Sequence, residues 1–538
     1  MRRWNGWGDD ATSMDLSEAA SVMLNARLGP GRPGRDATRN DLLAQVPASR
    51  LPPHPLIQTD AANRFAMAMG ESFADWIRKR FGALPPVPDG VAFPESSEQV
   101  RELIDLANAN NWIVIPFAGG TSVAGHLDCP RSERPILSIN LSRLCRLLHL
   151  DKPSQLATFG AGTPGPLVEA QLRAHGYTLG HFPQSFEYST VGGWVVTRSS
   201  GQQSLRYGRI EQLFAGGKME SPVGTLIIPT VPAASAGPDL RELVLGSEGR
   251  FGILTEATLR VSPLPEHESF HALFFPDWDS AASAVRELVQ RKPPLSLLRL
   301  SNAQETETNL TLAGHARLIG WLQRYLSWRG CGKGQCLLML GVTADNRTAR
   351  HALREARRLL ALHGAVYIGT AMGAKWAANR FKGPYLRNTL WDLGYSADTI
   401  ETAVDWPQVK PLMLAMEQAA RDVFAPCGER VHAFTHLSHL YPQGSSIYSQ
   451  FVWATAAGGF APNFERWQRL KAAVAAAIAA HGGTVSHQHG VGRDHAAHLA
   501  DEKGALGMAT LAELCRHFDP KKIMNPGKLL QDGGPWAS

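Results

Sequence analysis

The stretch WIVIPFAGGTSVAG, residues 112–125, decides how this chain is read. Residues 112–117 form an unbroken apolar run of strand length. The remainder is Gly-rich, and adjacent glycines let backbone N–H groups surround a phosphate or pyrophosphate without Cβ clashes. No Gly-Lys-Ser/Thr follows, so this is not a P-loop, and the GxGxxG dinucleotide fingerprint is absent. Alone, the loop reads equally well as a plain turn. Two further segments share its character. STVGGWVVTRSSGQQSLRYG, residues 189–208, sets Gly192, Gly193 and the hydroxyl-rich turn Thr197 to Ser200 beside a strand. GSEGRFGI, residues 246–253, places three more glycines just before another strand. Three such loops suit one extended cofactor laid along sheet edges.

Working outward, Ser96 or Ser97 can cap a helix whose apolar face is Val100, Leu103, Ile104 and Ala107. PILSIN and ATFGAGT read as strands, followed by a helix through Leu167, Ala170, Leu172 and Ala174. The unit closes on a strand ending near Pro265. The first ninety residues are irregular, with Pro and Gly clusters at GPGRPGR and LPPHPL, and read as a loosely packed arm with short helices. Beyond residue 267, SFHALFFPDW and FVWATAAGG read as strands, and AASAVRELVQ and TARHALREARRLLALHG as helices. Asn463 can cap a helix striped by Phe464, Trp467, Leu470, Val474 and Ile478, with Gly482 and Gly483 as its stop. The expected fold class is α+β. Its expected divisions are an arm (1–90), a cofactor domain (91–266), a substrate cap (267–485) and a returning C-terminal segment (486–538).

Composition excludes more than it names. The 538 residues are 44% hydrophobic and 19% charged, which is globular rather than disordered. The six cysteines are scattered without a CxxC pair, as in a reducing cytoplasmic compartment. No apolar run reaches membrane-spanning length. The start lacks a secretory h-region, and the chain ends PWAS rather than Ser-Lys-Leu, so a cytoplasmic location is expected. A net charge of +6 is too mild to imply nucleic acid. It is compatible with phosphorylated substrates and with peripheral contact at the inner face of a membrane, and a homodimer is compatible with everything above.

Five histidines fall between 481 and 498: His481, His487, His489, His495 and His498. Such a cluster can bind zinc or form an ordinary loop and helix surface. His487 and His489 stand in SHQHGVG beside a Gly-rich turn, where a neutral imidazole can act as a base or orient an alcohol.

PFAGGTSV, HFPQSFEYSTVGGWVVTRSSG (181–201) and GSEGRFGILTEATLRV (246–261) resemble the FAD domain of the vanillyl-alcohol oxidase and para-cresol methylhydroxylase type. Within that superfamily the chain is most similar to the alkyldihydroxyacetonephosphate synthase family. The similarity runs through WNGWG (4–8), PYLRNTL (384–390), ETAVDWPQV (401–409), GSSIYSQF (444–451) and SHQHGVG (486–492). The resemblance implies a two-subdomain FAD-binding domain of that type with an α+β substrate cap. It implies that Pro116, Phe117, Ala118, Gly119, Gly120, Thr121 and Ser122 wrap the pyrophosphate. Gln184, Ser185, Ser189, Thr190, Gly193, Thr197 and Ser200 then line the ribityl chain and ring. Gly246, Glu248, Gly249, Gly252 and Ile253 complete the site. Many relatives carry a flavin-linking histidine after the glycine pair; Thr121 stands there, so non-covalent FAD is expected, and His126, five residues on, is expected to be a surface or loop residue.

The same resemblance implies that Tyr448 takes the proton beside a substrate ketone and that Arg387 clamps a phosphate. It places His181 near the isoalloxazine and gives His487 and His489 to the alcohol. The family's three successive histidines are here His487, Gln488 and His489. The implied activity is exchange of the acyl chain of acyl-dihydroxyacetone phosphate for a long-chain fatty alcohol. The alternative is an FAD-linked oxidase or dehydrogenase of an alcohol, phenol or 2-hydroxy acid, an ending that NPGKLL (525–530) resembles. The metal-binding stretch of the FAD-linked hydroxy-acid dehydrogenases is altered here. Tyr448 replaces one histidine and Gln488 the acidic ligand, so no metal is expected.

Overall fold

The computed structural model describes residues 1–531, 533 and 534, so the terminal PWAS lies outside the described residues. The fold is α+β. β1 (Ile57–Gln58), β2 (Gly90–Ala92), β3 (Ile113–Phe117) and β4 (Ile136–Asn140) form a sheet in the order β1-β2-β4-β3. β4 runs parallel to both β2 and β3, so both its faces need cover and all five of its residues are buried. Helix Ser97–Asn110 supplies cover through Val100, Leu103, Ile104 and Ala107, with the Ser96 hydroxyl accepting the first-turn N–H of Gln99.

β5 (Leu147–Asp151) and β6 (Leu156–Gly160) join β8 (Phe214–Ser221), β9 (Gly224–Ile228) and β10 (Ile253–Arg260) in an antiparallel sheet ordered β5-β6-β10-β8-β9. β7 (Tyr177–Thr178) and β11 (Ser262–Pro263) pair beside it. Helix Gly165–Arg173 lies near its expected place but buries Val168 and Leu172 and leaves Leu167 exposed. These layers share one apolar core, which the C-terminal residues Ile523, Met524, Leu529 and Leu530 rejoin.

The second core belongs to a seven-stranded antiparallel sheet. Its strands are β12 (His267–Phe275), β13 (Leu297–Ser301), β14 (Cys336–Ala344), β15 (Val366–Gly369), β16 (Tyr395–Asp405), β17 (Val431–Leu437) and β18 (Gly444–Ala454). The order is β15-β12-β14-β13-β17-β18-β16. Successive side chains on a strand alternate faces. Ile447, Phe451 and Trp453 of β18 therefore join the core with helices Trp406–Phe424 and Phe460–Ala480, while Tyr448 and Gln450 turn the other way, onto the cavity wall. The latter helix begins one turn before its expected cap. Asn463 is buried inside it and closes the preceding loop, accepting from the Ala456 N–H and donating to the Ala456 carbonyl.

The N-terminal arm is not loosely packed. It contains helices Glu18–Leu28, Arg39–Leu43, Ala61–Ala66 and Phe73–Phe81, and both Trp7 and Trp76 are buried. Trp7 exchanges two hydrogen bonds with the Asn388 amide, at 3.1 and 3.0 Å. WNGWG requires its second glycine because Gly8 has φ +85° and a Cβ there would stand 2.2 Å from the Tyr385 ring. Upstream, the Arg2 guanidinium donates to the carbonyls of Gly119 and Gly120 at 2.7 and 3.3 Å. The arm thus touches both halves of the molecule.

Candidate active site

A cavity of about 640 Å³ runs between the Gly-rich loops and the exposed face of the seven-stranded sheet. One wall is Pro116 to Ser122, the loop that leaves β3. A side chain at Gly119 would put its Cβ 2.2 Å from the Tyr188 carbonyl, so the two loops close on each other only through glycine. Beside them lie Gln184, Ser185, Ser189, Thr190, Gly193, Thr197 and Ser200, then Glu248, Gly249, Gly252 and Ile253. STVGGWVV is helical here (Val191–Val196) rather than a strand edge, with the Thr190 hydroxyl capping it.

This wall has unfilled hydrogen-bonding capacity. The Ser200 hydroxyl, the Gln202 carbonyl and the Asn525 carbonyl are buried without a partner. An unmade buried hydrogen bond costs about 1–3 kcal/mol. Such a strip, ending in a glycine cradle, fits a polyhydroxylated chain, a heteroaromatic ring and a pyrophosphate. Glu248 anchors the strip: its carboxylate accepts the Val491 and Gly492 N–H groups at 2.5 and 2.7 Å and lies 3.1 Å from His126 Nε2. His126 is therefore buried structure and not a surface residue, with Nδ1 2.6 Å from the Ser122 hydroxyl.

The opposite wall carries the reactive side chains. Tyr448 on β18 sits between His436, stacked at 4.8 Å, and His489, edge-on at 6.0 Å. Its hydroxyl donates to Thr399 Oγ1 at 3.2 Å. Burial, aided by the Glu401 and Asp398 carboxylates, pushes the phenol above its ordinary range, so the resting side chain is a proton donor. Arg387 donates Nη1 to the Glu71 carbonyl at 2.9 Å and stacks 4.3 Å over Trp76. Its Nε and Nη2 are buried without partners, and no ion pair to it occurs among the described residues. Arg299 also reaches the cavity, paired to Glu305 at 2.7 Å.

Three expected site residues stand elsewhere. His487 is behind the wall, with Nδ1 3.1 Å from Glu401 and Nε2 2.7 Å from both Arg209 and the Tyr441 hydroxyl. Burial drives its pKa down to about 4. His181 is fully buried against Trp194, 3.2 Å from the Ser199 hydroxyl, and burial lowers its pKa to about 3. Neither lines the cavity. Gly246, with φ +76°, turns the chain against Arg198 and does not line the cavity.

Glu401, His436, Arg299, Arg209 and Tyr441 escaped the sequence reading. Glu401 lay inside ETAVDWPQV, where nothing local separates it from the other acids of the strand, Asp398 and Asp405. Glu401, His439 and His487 bring their ligand atoms within 4.8 Å of one another. These atoms are engaged already: both nitrogens of His487 are bonded, and His439 donates Nε2 to the Gly201 carbonyl at 3.2 Å.

Residues 88–228 match the FAD binding domain family, and residues 264–529 match the C-terminal domain of FAD linked oxidases. The alkyldihydroxyacetonephosphate synthase of Caenorhabditis elegans is 31% identical over 88% of this chain and 81% of its own. The chain belongs to the alkyldihydroxyacetonephosphate synthase family. The synthase of Trypanosoma brucei brucei is 27% identical over 98% of this chain and 92% of its own. A solved alkyldihydroxyacetonephosphate synthase structure superposes with a TM-score of 0.84 at 26% identity, covering 98% of this chain and 99% of that one. FAD is the cofactor of this synthase-family chain, and the glycine cradle and unpaired polar strip are the residues that fit it.

Proposed function

We propose that this protein exchanges the fatty acyl group of acyl-dihydroxyacetone phosphate for a long-chain fatty alcohol, and that the chain divides near residue 266 into cofactor and substrate units. The observation that carries the reading is Arg387, whose Nε and Nη2 are buried without partners and which has no ion pair among the described residues, lining the same largely apolar cavity as Tyr448. A buried cation without a counter-ion costs several kcal/mol. A substrate phosphate supplies the missing charge and accepts both donors.

The exchange is redox-neutral. The C–O bond to the acyl chain breaks with its electron pair on the departing fatty carboxylate, and the alcohol oxygen forms the new C–O bond. FAD, when bound, supplies the isoalloxazine chemistry that makes the carbon exchangeable. Tyr448 removes and returns the proton on the carbon beside the ketone. Because its resting phenol is neutral, its own proton must first leave to a base, and the neutral His436 imidazole stacked on the ring is the base in place, Thr399 Oγ1 only accepting the phenol's hydrogen bond. His489, on the cavity wall beside Tyr448, takes the proton of the alcohol. With Thr121 after the glycine pair, FAD binding is non-covalent.

We also propose that the protein docks on a lipid surface through helix Ala316–Trp328. Its inner face, Ile319, Leu322 and Leu326, packs on a core that includes Trp376 of the cavity wall. Its outer face exposes Leu318, Trp321, Tyr325 and Trp328, with Arg317, Arg324 and Arg329 alongside. Aromatic and cationic side chains around an apolar stripe suit a bilayer interface. No helix among the described residues is long and apolar enough to cross a membrane.

The test is anaerobic incubation of FAD-loaded protein with acyl-dihydroxyacetone phosphate and labelled fatty alcohol. Labelled ether product without net flavin bleaching supports the exchange. Bleaching by a simple alcohol or hydroxy acid, with no ether formed, overturns it.

A further inference from the structure

We propose that Glu401 is the positioning residue of the histidine loop: one buried carboxylate on β16 that receives the Nδ1–H of His487 and aims Gln488 and His489 into the cavity beside Tyr448. The kinetic part of this inference rests on the exchange reaction above; the structural part does not.

Glu401 is at the bottom of the polar cluster, with no exposed carboxylate surface. Oε1 accepts from His487 Nδ1 at 3.1 Å and from the Ser438 hydroxyl at 3.3 Å. Oε2 accepts from Gln488 Nε2 at 2.6 Å and stands 4.0 Å from His489 Nε2. A single side chain therefore touches all three residues of the His-Gln-His run. Histidine at His487 has no freedom left. A guanidinium has only donors, so Arg209 Nη1, 2.7 Å away, requires His487 Nε2 to be a bare acceptor. The ring proton is then on Nδ1, pointing at Glu401. That geometry defines a neutral imidazole clamped between a cation and an anion, with Tyr441 as a second neighbour of Nε2. His487, His439 and His489 hold the Glu401 carboxyl well below its ordinary range against its burial, so the carboxylate stays ionised without solvent.

The consequence for the cavity runs through the backbone. His487 is immobilised behind the wall, and the next two residues, Gln488 and His489, form part of the wall itself. Gln488 spends its NH₂ on Glu401, which leaves the amide carbonyl without a protein donor among the described residues. The wall thereby offers a substrate hydroxyl an acceptor at Gln488 next to a base at His489. Conformation at such a wall matters because outer partners of reacting groups commonly change rates by about 10–100-fold when removed.

The test uses FAD-loaded full-length protein and three variants. Glu401→Gln should keep flavin content and absorbance, hold KM for acyl-dihydroxyacetone phosphate within about twofold, and lower kcat by about 100-fold. Glu401→Asp, which keeps the charge, should recover part of that loss. Gln488→Ala, a change on the cavity wall that strands no cation, should lower kcat about tenfold and guards against a misfolded Glu401 variant. Full kcat in both Glu401→Gln and Gln488→Ala overturns the proposal, as does a kcat loss in Glu401→Gln matched by equal loss of flavin. The tautomer is read independently by ¹⁵N-histidine NMR. The wild type should show, beside the Nδ1–H that His481 donates to the Ala477 carbonyl, an Nδ1–H imidazole at His487 whose proton resonance moves upfield in Glu401→Gln; its absence in the wild type, or an unmoved resonance in the variant, overturns the proposal even if no ether is formed. One equivalent of divalent metal in the purified protein, lost in Glu401→Gln, also overturns it.

Discussion

Glu401 and Tyr448 stand directly opposite each other across the β16–β18 pair, and His436 stands opposite Tyr448 on its other side. Directly paired residues share a face of the sheet. A titratable triad is thus assembled by strand register alone, from positions nearly fifty residues apart and with no local motif. A slip of one residue in either pairing would send Tyr448 into the apolar core.

Tyr448→Phe removes one hydroxyl from this triad and leaves the stacked ring. FAD content and thermal stability should stay near those of the wild type while ether formation falls at least about 100-fold, as expected for loss of a proton-transfer group. Product assays with flavin absorbance check this; a fully active variant removes Tyr448 from the chemistry.

Arg387→Met should separate binding from stability. The guanidinium has no ion-pair partner among the described residues, so an apolar chain of similar length should raise the unfolding free energy of the substrate-free protein by about 1–3 kcal/mol. KM for the phosphorylated substrate should rise about 30-fold or more, since charge-assisted bonds to phosphate are worth about 1.5–3 kcal/mol each. Denaturant unfolding and steady-state kinetics read the two effects. A destabilised variant with unchanged KM contradicts the phosphate role.

Acid precipitation should release the flavin into the supernatant, because Thr121 occupies the position after Gly119 and Gly120. A yellow pellet counts against this.

Stability should fall early on acidification. His181, His432 and His487 have folded pKa values of about 3, about 3 and about 4, all below the ordinary 6.5. The unfolded chain therefore binds more protons as the pH drops below 6.5, and stability is lost from there down to the folded values. Above 6.5 these groups contribute no slope. Each fully linked histidine adds up to about 1.4 kcal/mol per pH unit. Glu401, held well below its usual range by the histidines around it, acts in the same direction, since its contribution is present above 4.5 and lost as pH falls. Denaturant midpoints at pH 7.5 and 5 measure the sum; equal midpoints refute it.

Trp321→Glu with Trp328→Glu should weaken binding to vesicles containing anionic lipid about tenfold or more, without changing turnover of a detergent-dispersed substrate. Cosedimentation checks this, and undiminished vesicle binding rules out the helix as the docking face.

The cofactor side was legible in the sequence because its determinants are local. Ile113–Phe117 announces itself as an apolar run, and the glycines after it have to be glycines. Ser96 and its helix follow from capping and period alone. The substrate wall was only half legible. Tyr448, Arg387 and His489 came through a resemblance, whereas Glu401 acquires its role from register, and nothing local distinguishes it from a solvated acid. His487 was misplaced because a histidine pattern cannot tell which ring faces a cavity and which faces a carboxylate behind it, whereas His126 is on a loop as expected but is buried there between Ser122 and Glu248. The Asn463 helix began early because the side chain closes a loop instead of capping.

The Arg2 and Trp7 contacts bear on how the protein is made. Trp7 finds its partner at Asn388, a separation of 381 residues, so this seam cannot form until most of the chain has been synthesised. Until then Gly119 and Gly120 lack the guanidinium that holds their carbonyls outward. The cofactor core itself also waits for Ile523, Met524, Leu529 and Leu530, so both ends of the chain close on the Gly-rich loops late, after nearly all of it has been made.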